Sequence, residues 1–148
     1  MTHSAHGKPI EILLVEDTAS DARRTMDALR DGRVRNRVLW VKDGEEALDF
    51  LRRKGAHANA RRPDLVLLDW YLPKVDGWEV LAQIKEDPDL RRIPVVIMTT
   101  SDQERDVLKA YNLHANCFVN KPVDVREFIA VVRSIEDFWL TVVKLPAA

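Results

Sequence analysis

Pro63-Asp64-Leu65-Val66-Leu67-Leu68-Asp69 is the stretch that decides the fold of this chain. No polar residue interrupts Leu65 to Leu68. A strand with one wet face alternates apolar and polar residues. A strand without alternation is covered on both faces, as in a parallel sheet between two helical layers. The run stops on an acid, Asp69, and a loop punctuated by Pro73 and Gly77 follows. Ligands of open parallel sheets gather beyond the carboxyl ends of the strands. Asp69 is therefore either a solvated loop acid or a site residue, and residues elsewhere in the chain choose between the two.

The same pattern repeats on both sides. Upstream, Ile10-Glu11-Ile12-Leu13-Leu14-Val15 reads as a buried strand ending in Glu16-Asp17, and Val38-Leu39-Trp40-Val41 as a shorter strand at an edge. Downstream, Ile93 to Met98 reads as a strand that tolerates Pro94 near its start and ends in Thr99-Thr100-Ser101. Ala115 to Val119 is a last strand, ending in Asn120-Lys121-Pro122.

Helical segments separate these runs. Thr18 or Ser20 caps a first helix with Ala22, Met26 and Leu29 inward, and Asp31-Gly32 ends it. Asp43 caps a second through about Arg53, with Ala47, Leu48 and Leu51 inward. Asp76-Gly77 opens a third bearing Val80, Leu81 and Ile84, stopped by Asp87-Pro88. Asp102 and Asp124 open two more. Strict alternation of this kind specifies an α/β, three-layer, doubly wound parallel sheet of five strands. Strand order does not follow from the alternation.

Composition narrows the class. The chain has 148 residues, 46% hydrophobic and 32% charged, which suits one globular domain and excludes a disordered one. A formal net charge of -1 gives no global attraction to nucleic acid or to an anionic membrane, and neither is expected as a partner. A single cysteine excludes an intramolecular disulfide. Met1 to Pro9 lacks the apolar centre of a signal peptide, and no apolar run reaches membrane-spanning length, so a cytoplasmic location is expected. The division expected is residues 1–9 as an N-terminal segment, 10–141 as the domain and 142–148 as a tail.

Parallel strands point the same way, so Glu16, Asp17, Asp69, Thr99, Thr100 and Lys121 converge on one sheet edge. Crowded carboxylates repel and raise one another's pKa unless a cation sits among them. Mg²⁺ is the expected cofactor, because it takes oxygen ligands while keeping several waters. A lysine ammonium and a threonine hydroxyl beside such a cluster are what a phosphoryl group in transfer requires. Asp69 is the carboxylate placed to attack phosphorus.

Glu16-Asp17, the motif D-x-x-[LM]-P-x-x-D-G from Asp69 to Gly77, Thr99 and Lys121-Pro122 together resemble the receiver domains of two-component response regulators. The resemblance spans about Ile10 to Trp139. It implies a flavodoxin-like strand order, 2-1-3-4-5, with the switch point between the first and third strands. It implies further that Asp69 is the phosphoacceptor. Asp17 would hold Mg²⁺ directly and Glu16 partly through water, with Asp69 and the Tyr71 backbone carbonyl as further ligands. Thr99 would be the switch hydroxyl, Lys121 the phosphate partner and Phe118 the aromatic that turns inward. Thr100 stands where a small Ala is usual and Phe118 where Tyr is frequent. His57 to Pro63, Tyr111 to Cys117 and Ile135 to Leu140 look like the small regulators that partner phytochrome-type histidine kinases. The function implied is that of a phosphorelay switch whose partner is a sensor histidine kinase, not an enzyme acting on a free substrate.

Two other classes compete. A Mg²⁺-dependent phosphohydrolase with an Asp nucleophile often carries a second acid two residues on, and that position is Tyr71. A docking module that never takes phosphate has no need of the acid pair, Thr99 and Lys121. The last helix also bears two apolar stripes. Phe128, Val131, Ile135, Phe138 and Val142 suffice to cover a sheet. Val125, Ile129, Val132, Trp139 and Val143 form a second, rotated stripe, and with Leu108, Tyr111 and Phe118 they predict a homodimer interface. The histidines, including His57, read as solvated, Cys117 as a small buried apolar residue, and the scattered arginine pairs as solvated faces.

Overall fold

Each apolar run becomes a strand: β1 (Ile10–Val15), β2 (Asn36–Val41), β3 (Leu65–Asp69), β4 (Val95–Thr99) and β5 (Cys117–Asn120). They pair in parallel, in the order β2-β1-β3-β4-β5. The computed structural model describes residues 9–30, 35–99, 117–121, 123–124, 126–127 and 130; of Thr99, Cys117, Phe118 and Asn120 only the backbone is described. The three described α-helices are α1 (Ala19–Arg30), α2 (Gly44–Leu51) and α3 (Gly77–Glu86), and a short 3-10 turn spans Gly55–His57. None of them is long and apolar enough to cross a membrane.

β3 runs through the centre of the sheet. Leu67 lies in register with Leu14 on one side and Val96 on the other. Successive β3 side chains enter opposite layers. Val66 and Leu68 pack with Leu13, Val15, Val95 and Ile97 beneath α2 and α3, among Leu48, Leu51, Val80 and Ile84. Leu65 and Leu67 pack with Ile12, Leu14, Val96 and Met98 beneath α1, against Ala22 and Leu29. All four β3 apolar side chains have zero exposure, which is why the run has no alternation. Each such burial is worth about 1.5–3 kcal/mol. Among the described residues β2 pairs only with β1, and from Asn36 to Trp40 it alternates half-buried with exposed residues, the signature of an edge.

Boundaries moved where local chemistry overrode periodicity. α2 ends at Leu51 because Arg53 adopts a left-handed conformation (φ 56°). β4 begins at Val95, since Pro94 has no N–H for a ladder, although its carbonyl accepts from Val66 N at 3.0 Å. Asp43 caps α2 as expected, Oδ1 accepting from Glu46 N at 2.8 Å. Asp124 makes the same kind of contact, with Oδ1 accepting from Arg126 N at 2.7 Å; the rest of the helix expected there lies largely outside the described residues.

Gly44, the first residue of α2, has a role that its sequence context does not reveal. A Cβ there would lie 2.2 Å from the Val75 carbonyl oxygen and 2.9 Å from Val80 Cγ2, so the helix end presses directly on the β3–α3 loop. Gly44→Ala should lower stability by about 1–3 kcal/mol through overpacking. A urea midpoint unchanged from the wild type would refute that contact.

Candidate functional site

Glu16 and Asp17 follow β1 directly, Asp69 is the last residue of β3, and Lys121 follows β5. Parallel pairing brings these ends to one edge. One carboxylate oxygen each from Glu16, Asp17 and Asp69 lies within 4.8 Å of the others. Glu16 has no exposed surface and Asp69 very little, while Asp17 faces solvent. The Asp69 backbone is held from behind by Gly77, where a Cβ would stand 2.4 Å from the Asp69 carbonyl oxygen.

The ammonium of Lys121 is the hub. Nζ donates to Asp69 Oδ2 at 3.1 Å and lies 3.1 Å from Asp21 Oδ2. It meets Glu16 Oε1 at 2.6 Å as an ion pair, without a well-directed hydrogen bond. Glu16 Oε2 accepts from Thr18 N at 3.2 Å, and Asp69 Oδ1 accepts from Tyr71 N at 3.3 Å. The indole N–H of Trp40, on β2, donates to the Glu16 carbonyl at 2.6 Å.

Electrostatics follow from this crowding. Burial pushes the Glu16 carboxyl up to about 7; the neighbouring Asp69 adds to the rise, and Lys121 and the Thr18 N–H oppose it. Burial alone would lower the Lys121 ammonium, but the carboxylates of Glu16 and Asp69 outweigh it and hold the group above the usual lysine range. Lys121 therefore remains charged at any physiological pH.

The donor set fits a hard divalent cation. It consists only of oxygens, carries more negative charge than one ammonium neutralises, and keeps Asp17 open to water. Glu16 Oε1 is buried, and its 2.6 Å ion pair with Lys121 is not a directed hydrogen bond, so a lone pair is left for a second cation.

Several expected residues fall elsewhere. The Thr99 backbone closes β4 in register with Asn120, and Phe118 pairs with Ile97; both side chains lie outside the described residues. So do Thr100, Leu108, Tyr111, Pro122, Ile129, Val132, Trp139 and Val143, and with them the expected interface. Sequence reasoning missed Asp21 and Trp40. Asp21 stands one helical turn beyond Asp17, a spacing that places both on the same side of the α1 terminus. Nothing in the sequence aims Trp40 at Glu16. His57 is not the solvated residue expected: it is part-buried against the Phe50 ring, with Nε2 3.3 Å from Glu46 Oε2. A cleft of about 430 Å³ between Pro63, Asp64, Arg92 and Pro94 opens at the opposite edge, away from all four strand-end groups.

Comparison with known proteins places this geometry. Residues 12–133 match the response regulator receiver domain model. The chain is 46% identical over 140 residues to response regulator Rcp1 of Synechocystis sp., covering 95% of each. The structure of the phosphorylated cyanobacterial phytochrome response regulator RcpA matches with a TM-score of 0.76 and 47% identity, over 95% of this chain and 100% of that one. The Mn²⁺-bound form of Rcp1 matches with a TM-score of 0.74 and 46% identity, over 94% of this chain and 100% of that one.

Proposed function

The chain belongs to the response regulator receiver domain family, and from that premise we propose that Asp69 accepts a phosphoryl group from a sensor histidine kinase, with Mg²⁺ as cofactor. The observation that carries this reading is the meeting of Glu16, Asp17, Asp69 and Lys121 at one sheet edge. An Asp69 carboxylate oxygen attacks the phosphorus of a kinase phosphohistidine. The Asp69 O–P bond forms, the P–N bond breaks, and its electron pair stays on the imidazole. Lys121 holds positive charge against the phosphoryl oxygens; Glu16, Asp17, Asp69 and the Tyr71 carbonyl would hold Mg²⁺, which would supply further positive charge there.

Signalling is then a population shift. The phosphoryl group adds charge and bulk at Asp69. The Thr99 hydroxyl bonds it, Thr100 sets access beside it, and Phe118 turns inward. The active conformation gains only the difference in contact energy between the two states. The acting unit runs from about residue 10 to 141, works in the cytoplasm, and returns its phosphoryl group to water. The similarity to a cyanobacterial phytochrome response regulator supports a phytochrome-type kinase as the donor. The second apolar stripe supports a homodimer through Leu108, Tyr111, Phe118, Ile129, Val132, Trp139 and Val143, with no nucleic acid or membrane involved. Light scattering at micromolar concentration should give a dimer for the wild type and a monomer for Trp139→Glu. Monomers in both, with and without phosphodonor, would eliminate the interface.

The central test is phosphotransfer from purified, phosphorylated sensor kinases. Fast transfer from a phytochrome-type kinase and slow transfer from others is the expected pattern. Uniformly slow transfer would remove the kinase assignment. Turnover of an exogenous phosphate ester would instead make the protein a hydrolase.

Metal binding has its own reporter. Trp70 is almost wholly buried and packs against Trp78, whereas Trp40 bonds the Glu16 carbonyl directly. Mg²⁺ should therefore change Trp40 emission. Asp17→Ala, which removes the exposed ligand and its charge, should weaken the apparent affinity by about tenfold, or about 1.4 kcal/mol. Identical titrations of the two proteins would move the cation elsewhere.

A further inference from the structure

We propose that Asp21 is a positioning residue for phosphoryl transfer: from the first turn of α1 it holds the Lys121 ammonium in place while Asp69 changes state. The proposal rests on Asp69 being the acceptor.

An ammonium has three donors and no acceptor. Lys121 faces three carboxylates: it donates to Asp69 and forms ion pairs with Glu16 and Asp21. Two of those partners belong to the reacting centre. Asp69 loses its free carboxylate when it is phosphorylated, and a cation between the acids draws on Glu16. Asp21 alone stays unchanged through the cycle. Its side chain is 35% exposed, against 8% for Asp69 and 0% for Glu16. It sits outside the trio of acids whose oxygens converge within 4.8 Å.

A local role for Asp21 is not what the structure shows. Thr18-Ala19-Ser20-Asp21 has the spacing of a capping box, in which the acid at the third helical position reaches back to the N–H of the capping residue. Here that N–H, of Thr18, is donated to Glu16 Oε2 instead. The Asp21 carboxylate points across to the end of β5 and meets Lys121. The residue spans 100 positions in sequence for this contact, which links α1 to the strand end that carries the phosphate partner.

Holding matters because a lysine side chain has four rotatable carbons of freedom and loses transition-state stabilisation with small displacements. Without Asp21, Lys121 relaxes onto Glu16 and its charge is displaced from the incoming phosphoryl oxygens.

The test is a double-mutant cycle on the full chain, with acetyl phosphate and Mg²⁺, reading the rate of phosphoryl incorporation and the phosphodonor concentration giving half-maximal rate. Asp21→Asn should lower the maximal rate about fivefold to tenfold with little change in the half-maximal concentration, and Asp21→Glu should restore most of it. In the Lys121→Ala background, Asp21→Asn should cost nothing further, because both residues act through one ammonium. Multiplying losses in the double variant would overturn the proposal, as would a wild-type rate in Asp21→Asn. A melting temperature for Asp21→Asn matched to its rate loss, with no rescue by Glu, would reduce Asp21 to a structural residue and also overturn it. Failure of the underlying reading looks different: the wild type itself would then take up no phosphoryl group at Asp69.

Discussion

Asp69→Asn should abolish phosphoryl acceptance, from acetyl phosphate and from a phosphorylated kinase alike, a loss of at least about 10³-fold or ~4 kcal/mol of transition-state stabilisation. The substitution keeps the shape of the side chain and removes its nucleophile. Other acids do not replace it. Glu16 is fully buried and paired with Lys121, and Asp17 is exposed to solvent. The fold should survive, because β3 is held by apolar residues that the change does not touch, Leu65 to Leu68. Phosphoryl content by mass spectrometry, with the adduct located after mild reduction, gives the answer. Equal yields in wild type and Asp69→Asn would transfer the acceptor role to another residue.

Metal-free protein should lose stability as pH rises from about 5 to 8, and Mg²⁺ should restore it. Glu16 titrates near 4.5 when unfolded and is raised to about 7 in the fold, chiefly by burial. Between those values the folded chain carries a proton that the unfolded chain lacks, so stability falls with rising pH. At about 1.4 kcal/mol per unit, the loss from this one group is on the order of 3 kcal/mol. Lys121 stays protonated throughout this window and does not change the sign. Glu16→Gln removes the titration, so its urea midpoint in chelator should be flatter across the same range and higher than that of the wild type near pH 8. Mg²⁺ taken up by the folded site and not by the unfolded chain should add back stability with the logarithm of its concentration once above its dissociation constant. Parallel pH profiles for wild type and Glu16→Gln would mean that the Glu16 carboxylate is not penalised by its burial.

Both predictions start from acids at strand ends, and strand ends were legible. An unbroken Leu65–Leu68 has one physical meaning, a strand covered on both faces, and Asp69 must then emerge at its carboxyl end. The same logic located Glu16-Asp17 and Lys121, since parallel strands deliver their ends to one edge whatever lies between them. Caps were legible too, because Asp43 and Asp124 act on backbone groups within three residues.

What the sequence determined by itself, then, was the five strands and the three described α-helices, the layered parallel architecture and the edge on which the acids meet; the helices expected from Asp102 and Asp124 lie largely outside the described residues. These depend on periodicity and on chain direction, which are local. Tertiary structure alone decided the partners within that edge. Asp21 reads locally as a capping residue and instead pairs with Lys121 across the sheet. Trp40 reads as an edge-strand apolar residue and instead bonds the Glu16 carbonyl. Gly44 and Gly77 read as ordinary helix starts, yet each meets backbone from the β3–α3 region at a distance that leaves no room for a Cβ. The physical reason is common to all four: hydrogen-bond direction, ion-pair reach and steric clearance act over a few ångströms between residues far apart in the chain, and only the packed sheet sets those distances.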